Sequence, residues 1–477
     1  MKKSHLRKLG LLGVLAAICL HSYGAEPTTS DAAKLPSGEV PPVAAEESQS
    51  KLMRFMTRDY LLGDWGSLRS RLSTNGVDFE FFYIGSVPSN LSGGLKRGSV
   101  YEGLLAMTLD VDTEKLGLYE GGHFHAGGLY LQGHRFSPNY VGDLNQVNLV
   151  DFPNAFRLWE LYYEHKFCNT NVSFKLGELS VDQDFIVADY SKTFVNQTFF
   201  YPTLAFDIFD VKGFPSQSHG LPSTPYTAPG ARLRWDPTPM NYVQAAVYGG
   251  NPDTTYSGTQ FRWNEDEGVL AYFETGFRLN QQKEDTGLPG TYKAGGYYHT
   301  GKFVDVNQAT AGAINSAIGL PAAAPHVYSG NYGFYLLAEQ QLYREVKGED
   351  PAKQGLGAFF RVTAAPKDRN LTDLGIDGGF VYKGLIPTRD YDSFGVAVSY
   401  LRISDDIRQA QRNAIAAFGL PIPVADYEAV VEVTYKAQVT AWWTLQPSVQ
   451  RVWHPGGHLT SAIPDATVFI LQTTLRF

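Results

Sequence analysis

Three stretches near the end of the chain alternate strictly between apolar and polar residues. They are Val430–Ala441, Trp443–Gln450 and Phe469–Phe477. A period of two places neighbouring side chains on opposite faces, so each stretch is predicted to be a strand with one apolar and one polar face. At about 9–12 residues they are longer than ordinary soluble strands, and they suit a tilted crossing of a bilayer.

Two architectures fit such strands. A large soluble antiparallel sheet would bury the apolar face, whereas a membrane barrel would turn it to lipid and leave the polar face in a water-filled lumen. The strand length, the Trp442–Trp443 pair at a turn and the aromatic end Phe477 favour the barrel. We then expect these aromatic residues at the periplasmic rim and residues 454–467 outside. The predicted wet channel wall consists of Glu432, Lys436, Gln438, Thr444, Gln446, Gln450 and Gln472.

The same alternation continues over most of the chain before these stretches. The earlier predicted strands are Asp78–Ile84, Tyr101–Asp112, Gly122–Gln132, Arg157–Phe167, Val172–Gly177, Ala231–Trp235, Tyr242–Tyr248, Ala271–Leu279, Tyr292–His299, Gly333–Gln341, Gly355–Thr363, Gly379–Lys383 and Ser393–Ile403. The fold class is therefore all-β, an antiparallel transmembrane β-barrel of sixteen strands, with eighteen as the alternative. A barrel of this size leaves an aqueous channel.

The connections between the predicted strands differ greatly in length. The stretches Pro202–Gly230, Asp305–Gly330 and Ser404–Asp426 are long, whereas the turn near Ala441 is tight. Long outer loops and short periplasmic turns are typical of outer-membrane barrels, and a soluble sandwich does not require this asymmetry.

The start of the chain predicts export. Residues 1–24 combine a basic start, the apolar run Leu9–Leu20 and small residues ending at Gly24, so we predict a signal peptide. Residues 25–57 lack periodicity and are predicted to be a disordered leader, with the barrel domain over residues 58–477. A short helix is predicted within Asp59–Gly76, with Asp64 as its cap.

Charge and composition narrow the class further. The signal peptide holds four of the 40 basic residues and no acidic residue, so the mature chain has 36 basic and 48 acidic residues, a net charge of −12. This balance does not suit a nucleic-acid partner. No run of 18 apolar residues occurs, which argues against transmembrane helices. Aromatic residues at 13% and 48 glycines suit long strands, aromatic girdles and turns.

Motifs for catalysis are missing from the sequence. It has no nucleophile elbow, P-loop, dinucleotide fingerprint or HExxH motif, so we predict that the protein is not an enzyme and needs no cofactor. His123 and His125 would share a strand face, but no further ligand is nearby in sequence, and no metal site is predicted.

Charged residues on or beside the predicted strands are the candidate pore lining. In a barrel, opposed charges at a constriction shape the field and hydrogen-bond to hydroxyl-rich solutes. The predicted set is Arg97, Glu102, Glu160, Glu164, Arg361, Arg389 and Asp390, with Asp392 beside the last two. For each residue alone, an ordinary solvated wall position is the competing interpretation.

Eight blocks of sequence, in order, resemble the carbohydrate-selective (glucose) porins of Gram-negative outer membranes. They are LLGDWGSLRSRLSTNGVDFEF (Leu61–Phe81), SGGLKRG (Ser92–Gly98), RLWELYYE (Arg157–Glu164), LGELSVDQDF (Leu176–Phe185), LPGTYKAGGYYHTGKF (Leu288–Phe303), KDRN (Lys367–Asn370), GLIPTRDYD (Gly384–Asp392) and LQPSVQRVWHPGG (Leu445–Gly457). The first block has Ser67 where that family usually has glycine.

The resemblance implies a 16-stranded barrel that passes monosaccharides, glucose especially, by facilitated diffusion across the outer membrane. The expected partners are small sugars in transit and outer-membrane lipid, with a homotrimer as the assembly considered. The resemblance carries over Arg97, Glu160, Glu164 and Arg389 as pore residues because they lie in matching blocks. The alternative is a structural or adhesive barrel, plugged by residues 59–76, whose long outer loops bind partners.

Overall fold

The computed structural model describes residues 51–200, 220–282, 285–345 and 354–477. The signal peptide and most of the predicted leader therefore lie outside the described residues, as does part of the long connection Pro202–Gly230. The strands are β1 Val77–Ser92, β2 Gly98–Ser99, β3 Glu102–Asp112, β4 Gly122–Gln132, β5 Ala155–Phe167, β6 Val172–Leu179, β7 Ala228–Thr238, β8 Asn241–Gly249, β9 Val269–Leu279, β10 Gly290–Val304, β11 Val327–Arg344, β12 Gly355–Ala364, β13 Thr372–Lys383, β14 Ser393–Ile403, β15 Tyr427–Thr440, β16 Trp443–Trp453 and β17 Ala466–Arg476. The helices are α1 Lys51–Met56, α2 Leu68–Thr74, α3 Val181–Asp184, α4 Gln197–Phe200, α5 Val306–Ala317 and α6 Asp405–Phe418.

One antiparallel sheet closes on itself. Each long strand pairs with its neighbours in sequence, and β1 pairs with β17 in a register that places Phe82 opposite Arg476. The two-residue strand β2 lies in the β1–β3 hairpin, so sixteen long strands build the wall and the predicted closed β-barrel is confirmed. Closure removes the sheet edges whose unpaired backbone groups could not be tolerated in lipid.

The alternating pattern divides the wall into an apolar outside and a polar inside. On β7, Leu233 and Trp235 are about half exposed, at 54% and 49%. Arg232, which directly precedes Leu233, is only 5% exposed. On β15, Val433 is 42% exposed and Glu432 is fully buried. A soluble protein would bury the large apolar side chains, so this inverted distribution fits a wall surrounded by lipid.

The two rims of the barrel differ. We call the rim where β17 ends the C-terminal rim and the opposite one the loop rim. The connections 168–171, 239–240 and 441–442 at the C-terminal rim are short, whereas 133–154, 180–227, 305–326 and 404–426 all leave from the loop rim. The predicted asymmetry between turns and long loops is therefore present.

The N-terminal segment lies on the C-terminal rim. The α2 residue Arg69 donates hydrogen bonds to the carbonyl oxygens of Phe79 and Phe477, both at 2.6 Å, and Phe55 packs on Trp442 with ring centroids 5.2 Å apart. The predicted helix over Asp59–Gly76 is shorter than expected, because only Leu68–Thr74 is helical. The helix α1 lies entirely within residues 25–57, the range that we predicted to be a disordered leader.

Two loop helices were not predicted from the sequence. The helices α5 and α6 pack against each other above the loop rim, over an apolar cluster that includes Val306, Ile407 and Leu459. Both had standard signals, since Asp305 caps α5 by accepting a hydrogen bond from the Gln308 amide and the left-handed Gly419 follows α6. No helix in the described ranges reaches the length and apolar character that a membrane crossing needs.

Candidate functional site

Two connections from the loop rim fold into the barrel and cover part of its inner wall. Inner segment 1 is residues 133–154, between β4 and β5; inner segment 2 is residues 180–200 and 220–227, between β6 and β7. Their position follows from their partners. Inward-facing polar side chains of distant strands, such as Glu432 and Arg361, form hydrogen bonds with the backbone of these segments.

Wall carboxyl groups hold inner segment 1. Glu428 of β15 accepts hydrogen bonds from the amides of Leu144 at 2.8 Å and Asn145 at 2.7 Å. Glu102 of β3 accepts one from the amide of Phe136 at 2.8 Å. Because a buried backbone N–H needs an acceptor, a loop inside a barrel depends on such side chains.

The same arrangement repeats along inner segment 2. Glu432 accepts hydrogen bonds from the amides of Val195 and Asn196 at 2.8 and 2.9 Å, and Glu274 of β9 accepts one from Ile186 at 2.8 Å. Four more wall residues bind its backbone: Glu160 accepts from Ser180 N, Glu339 accepts from Tyr190 N, Lys293 donates to Val187 O, and Gln446 donates to Thr193 O. The segment is therefore anchored to opposite sides of the wall.

A charged cluster joins inner segment 2 to β5, β6 and β7. Asp184 lies 2.8 Å from Lys175 Nζ and 2.9 Å from Arg232 Nη1, and Arg232 also contacts Glu164. Burial raises the pKa of Asp184, but the two neighbouring cations outweigh it, so the pKa falls below its usual value. Asp184 therefore stays ionised at neutral pH and fixes the segment at this point.

A second charged cluster remains partly open at the C-terminal rim of the lumen. Asp236 of β7 pairs with Arg234 and with Arg278 of β9, both at 2.8 Å. Both guanidinium groups lie over the Tyr242 ring, 4.1 and 4.9 Å from its centroid. The three charged side chains keep 24–29% of their surface exposed, which leaves donors and acceptors for a passing solute.

Comparisons with known proteins agree with this architecture. A family model described as "Carbohydrate-selective porin, OprB family" matches residues 96–477. The chain belongs to the carbohydrate-selective porin family. It is thus an outer-membrane β-barrel of a sugar-porin class and not an enzyme.

Individual relatives resemble the chain over nearly its whole length. Porin B of Pseudomonas aeruginosa is 26% identical over 434 residues, which are 86% of this chain and 91% of that protein. The putative porin QuiX of Acinetobacter baylyi is 23% identical over 442 residues, covering 88% and 93% of the two chains. The high-pH structure of Pseudomonas putida OprB superposes with a TM-score of 0.73 at 24% identity, covering 88% of this chain and 99% of that one.

Three of the predicted pore residues serve as anchors for the inner segments of this porin. Glu102 and Glu160 accept backbone hydrogen bonds from the segments, as described above. Arg361 is fully buried, pairs with Asp377 at 2.9 Å and donates to the Thr198 carbonyl oxygen at 2.8 Å. Their contact with a solute stays a prediction.

The other predicted pore residues are spread over the porin. Glu164 faces Arg232 in the charged cluster of β5–β7. Arg97 is exposed at the loop rim beside β2, whereas Arg389 and Asp390 lie in the turn between β13 and β14 at the C-terminal rim. Arg389 pairs there with Asp392 at 2.8 Å. The structure thus does not bring the predicted set together at one constriction.

The row predicted to be wet channel wall points inward but is largely covered. Glu432 and Gln450 are fully buried, and Gln446 and Gln472 are 4% and 6% exposed. The expectation of open water at these positions was wrong, because the inner segments use several of these side chains as hydrogen-bond partners. Lys436 and Gln438 remain partly exposed.

Sequence reasoning missed the open cluster of Arg234, Asp236 and Arg278. A signal was present, because Arg232, Arg234 and Asp236 alternate with Leu233 and Trp235 in RLRWD. This pattern places three charges on one inward face.

The histidines His123 and His125 do share a face, as predicted, and both contact Oδ1 of Asp110 on the neighbouring strand, at 3.0 and 2.8 Å.

Proposed function

We propose that this porin passes small carbohydrates, monosaccharides such as glucose among them, by passive facilitated diffusion through its lumen. The observation that carries the proposal is the open cluster of Arg234, Asp236 and Arg278 over Tyr242. Guanidinium and carboxylate groups together offer donors and acceptors that match the hydroxyl groups of a sugar. The Tyr242 ring is 3% exposed under the two guanidinium groups, so it holds them in position and the charged groups make the contact with the solute.

The balance of charge in this cluster supports a neutral solute. Asp236 pairs with each guanidinium group at 2.8 Å, and Glu274, which accepts a hydrogen bond from the Tyr242 hydroxyl at 2.7 Å, adds a second carboxylate near the two cations. A pore for anions would instead present cations without such partners. The description of the family to which the chain belongs, carbohydrate-selective porin, supports the same substrate class.

The inner segments support size selection. They cover the inner wall on β3, β9, β12 and β15 and so reduce the cross-section through which a solute can travel.

In the alternative of a plugged structural barrel, residues 59–76 would form the plug. In that segment Arg69 binds the ends of β1 and β17 at the rim, which does not favour a plug inside the lumen.

Liposome swelling and planar-bilayer recording test the proposal. Purified full-length protein should make liposomes swell in glucose and should show single-channel conductance that glucose partly blocks. Arg278→Gln should weaken the block, while Arg412→Gln, in an exposed ion pair on α6, should leave it unchanged. Folded protein that neither conducts nor admits any small sugar would support the plugged barrel instead.

Orientation and assembly are part of the proposal. We infer that the C-terminal rim faces the periplasm, as its short connections suggest, and that the exposed apolar outer face contacts lipid. The homotrimer remains a proposal that cross-linking of the protein in native membranes would test.

A further inference from the structure

Three potential metal ligands meet at the loop rim, away from the lumen cluster. Asp426 ends the connection that carries α6, immediately before β15, while His454 and His458 begin the connection after β16. The pairing of β15 with β16, with Ala429 opposite Trp453, brings the two connections side by side. One ligand atom from each side chain lies within 4.8 Å of the other two.

The distances fit a common centre. His454 Nδ1 is 2.8 Å from Asp426 Oδ2, and His458 Nδ1 is 3.7 Å from Asp426 Oδ1. Ligands about 2.0–2.1 Å from a tetrahedral ion are about 3.3 Å apart, and the two observed separations lie on either side of this value. The two imidazole rings are stacked with centroids 4.3 Å apart, so at least one ring must rotate for both Nδ1 atoms to point at one ion.

Hydrogen bonding alone does not account for this arrangement. His454 Nδ1 is buried and lies 2.8 Å from Asp426 Oδ2, but it forms no hydrogen bond with a described residue. His125 Nδ1 differs in that it makes a 2.8 Å hydrogen bond to Asp110, although His125 Nε2 is also buried without a partner among the described residues. Because no hydrogen bond occupies it, His454 Nδ1 is available to bind an ion.

The backbone holds the histidines in strained conformations. His454 and His458 have φ of 49° and 55°, in the left-handed region that non-glycine residues rarely adopt. The His454 amide donates to Asp465, and the Asp426 amide donates to the Gly457 carbonyl oxygen, both at 3.1 Å. Strain maintained by such contacts is common at ligand sites.

We propose that Asp426, His454 and His458 bind a divalent transition-metal ion of the Zn²⁺ class. Two imidazoles and one carboxylate suit Zn²⁺ and its neighbours, whereas Ca²⁺ and Mg²⁺ prefer sets made of oxygen ligands. The three side chains keep 19–33% of their surface exposed, so a solvent molecule can complete the coordination.

Metal binding would link the loop rim to inner segment 1. The ion would join the α6 connection to the connection after β16. Glu428, two residues after Asp426, holds the amides of Leu144, Asn145 and Gly456. An occupied site would therefore stiffen the anchor of the inner segment from above, independently of which solute the lumen passes.

Calorimetric titration of untagged, chelator-treated full-length protein with ZnCl₂ tests the proposal. We expect one Zn²⁺ per chain, no comparable binding of Ca²⁺, and a loss of affinity of at least about tenfold in His454→Gln and in His458→Gln. His326→Gln is the matched control, because His326 is an exposed histidine on another loop-rim connection. Circular dichroism and heat-dependent gel mobility establish that each variant is folded.

A second measurement does not depend on any variant. Zn²⁺ should protect His454 and His458 from modification by diethyl pyrocarbonate in the wild-type protein and leave His326 reactive. Failure of folded wild-type protein to bind Zn²⁺, or equal protection of all three histidines, would overturn the proposal.

Discussion

Glu432 is the anchor whose removal should change the lumen most directly. Its two carboxyl oxygens accept hydrogen bonds from the amides of Val195 and Asn196 and from the Ser448 hydroxyl, all between 2.8 and 2.9 Å. Glu432, Val195 and Asn196 are fully buried. Glu432→Ala should therefore release inner segment 2 from β15, while Glu432→Gln should weaken the same attachment, because one acceptor oxygen becomes a donor amide.

The size of the effect follows from the two orphaned amides. A buried N–H without an acceptor costs about 1–3 kcal/mol, so Glu432→Ala should cost the docked segment about 2–6 kcal/mol. Since about 1.4 kcal/mol corresponds to a factor of ten, even the lower value raises the ratio of detached to docked segment about 30-fold. Water that enters the vacated space would bring the cost towards that lower value.

Hydrogen exchange followed by mass spectrometry measures this ratio. Peptides over residues 190–200 should exchange about 30-fold faster or more in Glu432→Ala, and by a smaller factor in Glu432→Gln. Glu114→Ala removes an exposed carboxylate at a C-terminal-rim turn and serves as the control. Unchanged protection at Val195 and Asn196 in folded Glu432→Ala protein would refute the anchoring role.

Three further predictions concern the turn after β3, the pH response of inner segment 2 and the buried ion pair. Gly121→Ala should unfold in urea at clearly lower concentration than Gly117→Ala, because both have positive φ but only at residue 121 would the new Cβ overlap a backbone carbonyl of β5. Burial raises the pKa of Asp182 to about 6 from an ordinary 3.8, so the docking of inner segment 2 should weaken as pH rises from about 4 to 6. Hydrogen exchange of inner segment 2 in Asp182→Asn should lose this pH dependence. Arg361→Ala should lower the unfolding free energy by about 3–5 kcal/mol, because Asp377 is left buried and unpaired, and replacing both residues with leucine should recover most of the loss.

The strands of this porin were predictable because their signal is local. A period of two over residues 430–441 follows from neighbouring side chains alone, and lipid outside the wall preserves it along the whole strand. The inverted burial of Val433 and Glu432 confirms which face turns outward. Most predicted strands were shorter than the observed ones, as Asp78–Ile84 is against β1, whereas β4 and β14 were predicted with their observed bounds and β3 one residue too long.

The role of each inward-facing polar side chain was harder to predict. Glu428 binds residues 144 and 145, more than 280 positions earlier in the chain, and Glu432 binds residues 195 and 196. No local pattern distinguishes a carboxylate that faces water from one that accepts two loop amides. The candidate pore residues Glu102 and Arg361 were selected for their charge on predicted strands, and Glu160 also for its place in a block that resembles the family, so the set includes anchors.

Anchors and open charges should have different effects on the conductance of the channel and on its block by sugar. An anchor such as Glu432 acts on every solute alike, because it sets the position of inner segment 2 and with it the width of the passage. An open charge such as Arg278 acts only on solutes that reach its guanidinium group, since its pairing with Asp236 leaves the segments untouched. Anchor variants should therefore alter conductance and its noise without sugar, whereas variants of the open cluster should alter sugar block at nearly unchanged conductance. If anchor variants and variants of the open cluster changed conductance and sugar block in the same way, the lumen would have no solute-binding surface separate from its anchors.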